Sequence, residues 1–278
     1  MGLGGYLAWT AVVRELAEKL PEGTKILTCE GDGKNVTKIV RSPVFENNPH
    51  VYKEGDGDHA FPLFLNNPQA NYCKNDTPLK AYHRGDRHII EQMCEFYGIM
   101  EPKLRCEIHF SKPERDKVDE LTRGLEDRFI TIEPYSKTNY TPNRVYPMEK
   151  WQNIVDSLKD KIQVVQIGNG ITEPLLNGAV DYRGLTSFRE AALLIGKSEL
   201  LLATEGGLAH AATTVDTPAV VVITGYQDQR MVAYPQNINI NISTHGPCGL
   251  KVECEECTQD AKNHNEKEIV DKVLEFLL

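Results

Sequence analysis

The segment of this 278-residue chain best equipped for chemistry is Glu205-Gly-Gly-Leu-Ala-His210. It follows the apolar run Leu200-Leu-Leu-Ala-Thr204 and leads into the small residues Ala211-Ala212. A second apolar run, Pro218 to Ile223, comes next and ends in Thr224-Gly225. A strand, an acidic residue, a glycine pair and a helix in that order make a place for an anion. The glycines let phosphate oxygens approach the backbone, and the helix N-terminus offers free N–H groups and positive dipole. Loops at the carboxyl ends of parallel strands are where α/β folds bind ligands. The same residues also admit a plain structural role, with Gly206-Gly207 capping a strand and His210 satisfied inside the core. Several features pointing to one place favour the ligand site.

The seven cysteines offer a second kind of chemistry. Cys29, Cys73, Cys94 and Cys106 are scattered, as suits reduced thiols packed as small hydrophobes. Cys254-Glu-Glu-Cys257 is a C-x-x-C pair with a third thiol, Cys248, just upstream. Three thiolates begin a zinc or iron site, and His245 or His264 could supply the fourth ligand. Spacing alone does not fix that ligand, so the segment reads as a loop of free or redox-labile thiols, and no metal is expected.

The elements that must position these groups alternate. In the second part, Arg128–Glu133 reads as a strand, 147–159 as a helix, and Gln163–Ile167 as a strand ending at Gly168-Asn-Gly170. Helix 187–197, strand 199–203, helix 207–215 and strand 219–223 complete the series. Alternation with short connections is the signature of a parallel sheet covered by helices on both faces. In the first part, residues 6–19 have helical apolar spacing, and 25–29 and 36–40 read as strands. Residues 46–80 form a long irregular stretch, followed by helix 88–97 and a helix capped by Ser111 with Glu114 in the capping-box position. A last helix spans 266–278. The expected division is an N-terminal α/β domain over 1–125, a nucleotide-binding Rossmann-like domain over 126–265, and the helix 266–278. The length suits two domains of ordinary size. The formal charge of −9 argues against a nucleic-acid partner. No signal peptide, membrane-length apolar run or repeat is visible, so the expected location is the cytoplasm.

Three stretches carry a family resemblance. Val44-Phe-Glu-Asn-Asn-Pro-His-Val51, Asp181-Tyr-Arg-Gly-Leu-Thr-Ser-Phe-Arg-Glu190 and Glu205-Gly-Gly-Leu-Ala-His-Ala-Ala212 lie in this order along the chain. Together they resemble the heptosyltransferase-type glycosyltransferases of family 9. The last stretch is similar to that family's Asp-Ser/Thr-Gly-x-x-His-x-Ala, with Glu205 for the Asp and Gly206 for the Ser or Thr. The resemblance implies a GT-B fold, two Rossmann-like α/β domains with parallel sheets facing across a cleft. It also implies inverting, metal-independent transfer of a heptose-like sugar from a nucleotide donor, commonly ADP-linked, to a surface-glycan or glycolipid acceptor. Membrane contact would then come only through the acceptor.

Inverting transfer needs a held diphosphate, a stabilised oxocarbenium-like sugar and a base for the acceptor hydroxyl. On the resemblance, Ser136, Lys137 and Thr138, in the loop after the strand ending at Glu133, face the diphosphate. Arg144 stands where the family has a lysine and would offset charge on the departing group. Glu205, Gly206, Gly207 and His210 lie near the sugar and phosphates. Gly168, Glu173, Gly184 and Leu185 lie near the base and ribose, with Glu173 able to accept both ribose hydroxyls. The family's opening strand has no counterpart ahead of Met1-Gly-Leu-Gly-Gly5, and its catalytic Asp corresponds to Gly5, which cannot take a proton. Asp56, Asp58 or His59 from the long loop is the expected substitute, with Asp58 and His59 foremost. The alternative reading is a catalytically silent nucleotide-binding or partner protein of the same fold. A strand missing from the first sheet would also leave an exposed edge, which makes a homodimer the expected assembly.

Overall fold

Leu201–Thr204 (β9) and Ala219–Ile223 (β10) are apolar at nearly every position and buried throughout. Strands of that composition belong inside a parallel sheet covered on both faces. The computed structural model describes residues 2–57, 59–170 and 173–278. It places both strands in a six-stranded sheet with Phe129–Glu133 (β6), Gln163–Gln166 (β7), Val180–Asp181 (β8) and Ile238–Asn241 (β11), in the order β11-β10-β9-β6-β7-β8. Every pairing in it is parallel. Side chains alternate across the sheet. Ile130, Ile132, Val164, Leu202, Val220 and Val222 face a core built with Met148–Leu158 (α4) and Lys267–Leu277 (α9). Phe129, Val165, Leu201, Ala203, Val221 and Ile223 face the other way, toward Phe188–Ile195 (α5) and Gly207–Ala212 (α6).

The N-terminal half holds a smaller sheet. Lys25–Gly31 (β1) pairs in parallel with Ala60–Phe64 (β3) and antiparallel with Val36–Ile39 (β2). Only β1 and β3 therefore represent the parallel sheet expected there, and β2 lies exposed along its whole length. The stretch 46–80 is less irregular than its composition suggested. It contains β3 and Cys73–Asp76 (β4), which forms a hairpin with Ala81–His83 (β5). Pro62 sits inside β3, a position open to proline because β3 is an edge strand. Ile89–Phe96 (α2) is capped by His88, and Lys112–Thr122 (α3) by Ser111 with Glu114 completing the capping box.

The two halves share a core. Leu3–Lys19 (α1) buries Leu7, Trp9, Val12, Val13 and Leu16, and it packs on both α2 and α6. Its apolar cluster runs without a break into the α5/α6 face of the large sheet. The approach of α1 to α6 is closest at Gly4, where a Cβ would lie 3.1 Å from the Gly207 Cα. Gln229–Val232 (α7) and Glu255–Asn263 (α8) complete the chain. Among the described residues, no helix is long and apolar enough to cross a membrane.

Candidate functional site

In the large sheet the strand order reverses between β6 and β9, which puts a topological switch point at their carboxyl ends. Open α/β sheets bind ligands in the crevice outside such a point. Ser136, in the loop leaving β6, bonds the hydroxyl of Thr204 at the end of β9 and donates to the Arg144 carbonyl (2.9 Å). The crevice is therefore spanned by a hydroxyl pair, and the same serine fixes the backbone of Arg144.

The Arg144 guanidinium lies over the Tyr226 ring, 4.6 Å from its centre, and donates to Gln227 Oε1 at 3.2 Å. Its Nε is 2.6 Å from Glu205 Oε1, a close ion pair that is not aligned as a hydrogen bond. Gln227 closes the circuit by donating to the other Glu205 oxygen at 3.1 Å. Glu205 is buried. Burial pushes its carboxyl above the usual range, and the Arg144 charge opposes that rise. A partly exposed cation held by a buried carboxylate and an aromatic face is a preorganised anion contact. Lys137 and Thr138 lie exposed on the turn beyond Ser136.

A second group forms beside β7 and β8. Gly168 has φ +153°, and a side chain there would meet Glu173 Oε2 at 3.1 Å. The Gly168 carbonyl accepts from Gly184 N at 2.8 Å, and Leu185 projects into solvent. Glu173 Oε2 is buried with no hydrogen-bond partner among the described residues. Burial raises the Glu173 carboxyl, with Arg183 opposing. Neighbouring Glu133, at the end of β6, is pushed up to about 8, first by desolvation and then by Glu173. An unpaired carboxylate oxygen walled by a glycine is suited to accepting sugar hydroxyls.

Gly206 has extended backbone (φ 175°) with room for a side chain, whereas Gly207 is the first residue of α6 and abuts the Phe188 ring. His210 is buried, its Nδ1 2.6 Å from the Tyr234 hydroxyl. Burial and then the Arg144 charge hold its pKa down at about 4, so the imidazole is neutral near pH 7. His210 makes no hydrogen bond to the 134–138 loop; it joins Tyr234, Cys106 and His88 in a buried polar cluster.

His59 is exposed, just ahead of β3 and so at the amino end of the parallel pair β1–β3. Asp56 is also exposed, its carboxylate accepting from the Lys53 N–H at 2.7 Å. Asp58 lies outside the described residues. From the N-terminal half the structure instead brings His83, stacked on Tyr72 and edge-on to Tyr226 with ring centres 5.6 Å apart. Burial and the Arg144 charge hold His83 at about 4. Tyr226, Gln227, Tyr72 and His83 were not visible as site residues in the sequence. The only signal was the Thr224-Gly225 end of β10, directly before Tyr226. A cleft of about 960 Å³ opens beside this cluster, walled by 86–91 of the first half and 225–247 of the second, with Gln227 on its wall.

The cysteine segment is more ordered than a loop of independent thiols. Cys248, Cys254 and Cys257 are buried together against Tyr226. His245 joins them, while His264 bonds Tyr146 and Glu268 on the far side of α8.

The sequence profile of glycosyltransferase family 9 (heptosyltransferase) matches residues 84–262. Among proteins with curated descriptions, none matches this sequence. Of solved structures, a family 9 glycosyl transferase from Veillonella parvula is similar over 100% of this chain and 95% of its own, at 14% identity and a TM-score of 0.65. ADP-heptose LPS heptosyltransferase II of Escherichia coli is similar over 99% and 96%, at 13% identity and 0.65. The iron-containing dodecameric glycosyltransferase TibC of enterotoxigenic Escherichia coli is similar over 100% and 75%, at 13% identity and 0.68. At such identities the likeness is one of fold, and it shows the α/β GT-B architecture expected from the sequence. The family profile spans well over half of the residues, and by that measure this chain belongs to glycosyltransferase family 9, the heptosyltransferases.

Proposed function

We propose that this protein transfers a heptose-like sugar from an ADP-linked donor to a glycan or glycolipid acceptor, with inversion. The observation that carries the reading is Arg144, held by Glu205, Gln227 and Tyr226 at the switch point of the parallel sheet. A diphosphate lying across the Ser136–Thr204 pair would meet this cation and the hydroxyls of the 134–138 loop. As the glycosidic bond breaks, negative charge builds on the leaving diphosphate, and a fixed guanidinium stabilises it without reorganising. The orphaned oxygen of Glu173 would accept ribose hydroxyls, and Gly168, with no side chain, would leave room for the nucleoside.

Donor preference is supported from outside the chain. Heptosyltransferase II is described by its ADP-heptose substrate, and TibC has been solved with ADP-D-β-D-heptose. The acceptor would enter through the cleft beside Gln227. His83, packed edge-on against Tyr226, would offer a neutral imidazole to an incoming hydroxyl, a role that Gly5 cannot fill. Titration calorimetry with ADP, UDP, GDP and CMP, followed by transfer assays with ADP-heptose, tests the reading. Micromolar ADP binding with transfer is the expected result; no binding of any nucleotide would overturn it. Gly5 also keeps a second reading in play, a silent nucleotide-binding partner protein, which ADP binding without transfer to any acceptor would favour.

A further inference from the structure

Three sulfurs and one imidazole nitrogen meet in the segment 245–257. A His245 ring nitrogen, Cys254 Sγ and Cys257 Sγ all lie within 4.8 Å of one another. Cys257 Sγ is 3.5 Å from Cys248 Sγ and 3.5 Å from His245 Nε2. A tetrahedral zinc site with bonds of about 2.3 Å to sulfur and about 2.0 Å to nitrogen sets sulfurs about 3.8 Å apart and sulfur and nitrogen about 3.6 Å apart. The two distances from Cys257, to Cys248 and to His245, are close to these before any ion is considered.

The surroundings fit the same purpose. The His245 Nδ1 is 2.6 Å from the Gly246 carbonyl. A proton on Nδ1 satisfies that carbonyl and leaves the Nε2 lone pair facing the thiols, the arrangement that orients ligating histidines. Asp260 accepts from both the N–H and the hydroxyl of Thr244, fixing the backbone beside His245, and its Oδ2 lies 3.5 Å from Nε2. The Cys248 sulfur accepts from the Leu250 N–H at 3.4 Å. Cys254 caps α8 and Cys257 lies in its first turn, so the C-x-x-C pair sits on a rigid element.

We infer that Cys248, Cys254, Cys257 and His245 form a tetrahedral site for a thiophilic divalent metal, zinc or ferrous iron. Four protein ligands close the coordination sphere, which makes the role structural. What the metal would hold is the wall of the candidate nucleotide site. The Cys248 N–H donates to the Gly225 carbonyl, and the Gly249 N–H to the Tyr226 carbonyl. Asn143 accepts from the Cys254 N–H at 2.9 Å and donates to the Leu250 and Val252 carbonyls, both at 2.8 Å. Asn143 directly precedes Arg144 in sequence, and the Tyr226 ring lies against its guanidinium. The metal thus braces the residue on which the proposed diphosphate contact depends, and this coupling, unlike the site itself, rests on the transferase reading.

Elemental analysis of protein purified under reducing conditions should find one zinc or iron per chain. Cys254→Ser and Cys257→Ser should lose it. Cobalt(II) added to chelator-treated wild-type protein should give the thiolate-to-cobalt charge-transfer band and the visible pattern of a tetrahedral ion, and His245→Ala should shift that pattern. The cobalt titration needs no variant to fold. Absence of stoichiometric metal together with absence of the cobalt band would overturn the site, as would a Cys248–Cys257 disulfide in the native protein. Stripping the metal should also abolish ADP binding. A metal-loaded protein that never binds a nucleotide would sink the transferase reading and leave the metal site standing.

Discussion

Replacing Arg144 with alanine separates what this residue does for a ligand from what it does for the fold. Loss of a charge-assisted contact to phosphate should cost about 1.5–3 kcal/mol, roughly a tenfold or greater drop in ADP affinity by calorimetry. The same change strands Glu205, a buried carboxylate that then lacks its cation, so the melting temperature should fall as well. Adding Glu205→Gln to Arg144→Ala should restore stability without restoring affinity; recovery of both would mean Arg144 serves only the fold. Glu133 gives a pH dependence of definite sign. Its folded-state pKa, about 8, lies above the ordinary carboxylate value, so its contribution to stability is complete below that ordinary value. The contribution is lost progressively as pH rises, and the loss is finished once pH passes about 8. Melting curves of the nucleotide-free protein should therefore decline across this window, and Glu133→Gln should flatten the decline; an unchanged slope would place the titration elsewhere. Residue type and order were enough to single out Glu205, and the family resemblance pointed to Ser136, Arg144 and Glu173. Their grouping into two contacts was not legible, because it depends on which strands become neighbours. Tyr226 and Gln227 follow the last strand that the pattern revealed, and nothing in their own identity marks them as partners of Arg144, 82 and 83 positions earlier.

At the scale of elements, Arg189 on α5 is the most exposed to test, because a single buried guanidinium ties together parts of both halves. It pairs with Glu114 of α3 at 2.5 Å and donates to the Pro43 and His109 carbonyls at 2.9 and 2.7 Å. Glu114 is held down at about 2 chiefly by this arginine. Arg189→Met keeps much of the apolar stem but leaves a carboxylate and two carbonyls without their donor. Breaking one side of a buried pair costs about 3–5 kcal/mol, so thermal and denaturant midpoints should both fall sharply. A loss within about 0.5 kcal/mol, the usual range for a surface site, would show that the network is dispensable. The sequence showed this helix through Ser187 and Glu190 of its capping box, which lie close together in the chain. It did not show what Arg189 reaches, because those partners lie 75 or more residues away. The same division explains the strands. β9 and β10 are nearly continuous apolar runs and β6 is one broken by Thr131, legible because both of their faces are buried. β3 is broken by a proline and β11 alternates Ile with Asn, and both are edge strands, so neither reads as an uninterrupted apolar run.

At the scale of the molecule, the sequence suggested two domains meeting across a cleft, and the structure adds that they also meet through a shared core. One apolar cluster includes Leu7, Trp9 and Val12 of α1, the buried residues of α5 and α6, and one face of the six-stranded sheet. Separating the halves would expose that face, and an apolar surface of that extent on a free domain favours association over solubility. A chain of residues 126–278 should therefore be recovered aggregated or as a loose, dye-binding state, even though it carries the whole parallel sheet. The intact protein should unfold in one transition that looks the same by tryptophan fluorescence and by circular dichroism. The two tryptophans make this a direct comparison, since Trp9 lies in α1 and Trp151 in α4, on opposite sides of the large sheet. Two resolved transitions, with Trp9 reporting one and Trp151 the other, would mean that the α1–α6 contact is a dockable interface and that the cleft beside Gln227 can open by moving the halves apart. A single transition would instead confine motion at the site to its loops, so acceptor entry would depend on 86–91 and 225–247 and not on domain separation.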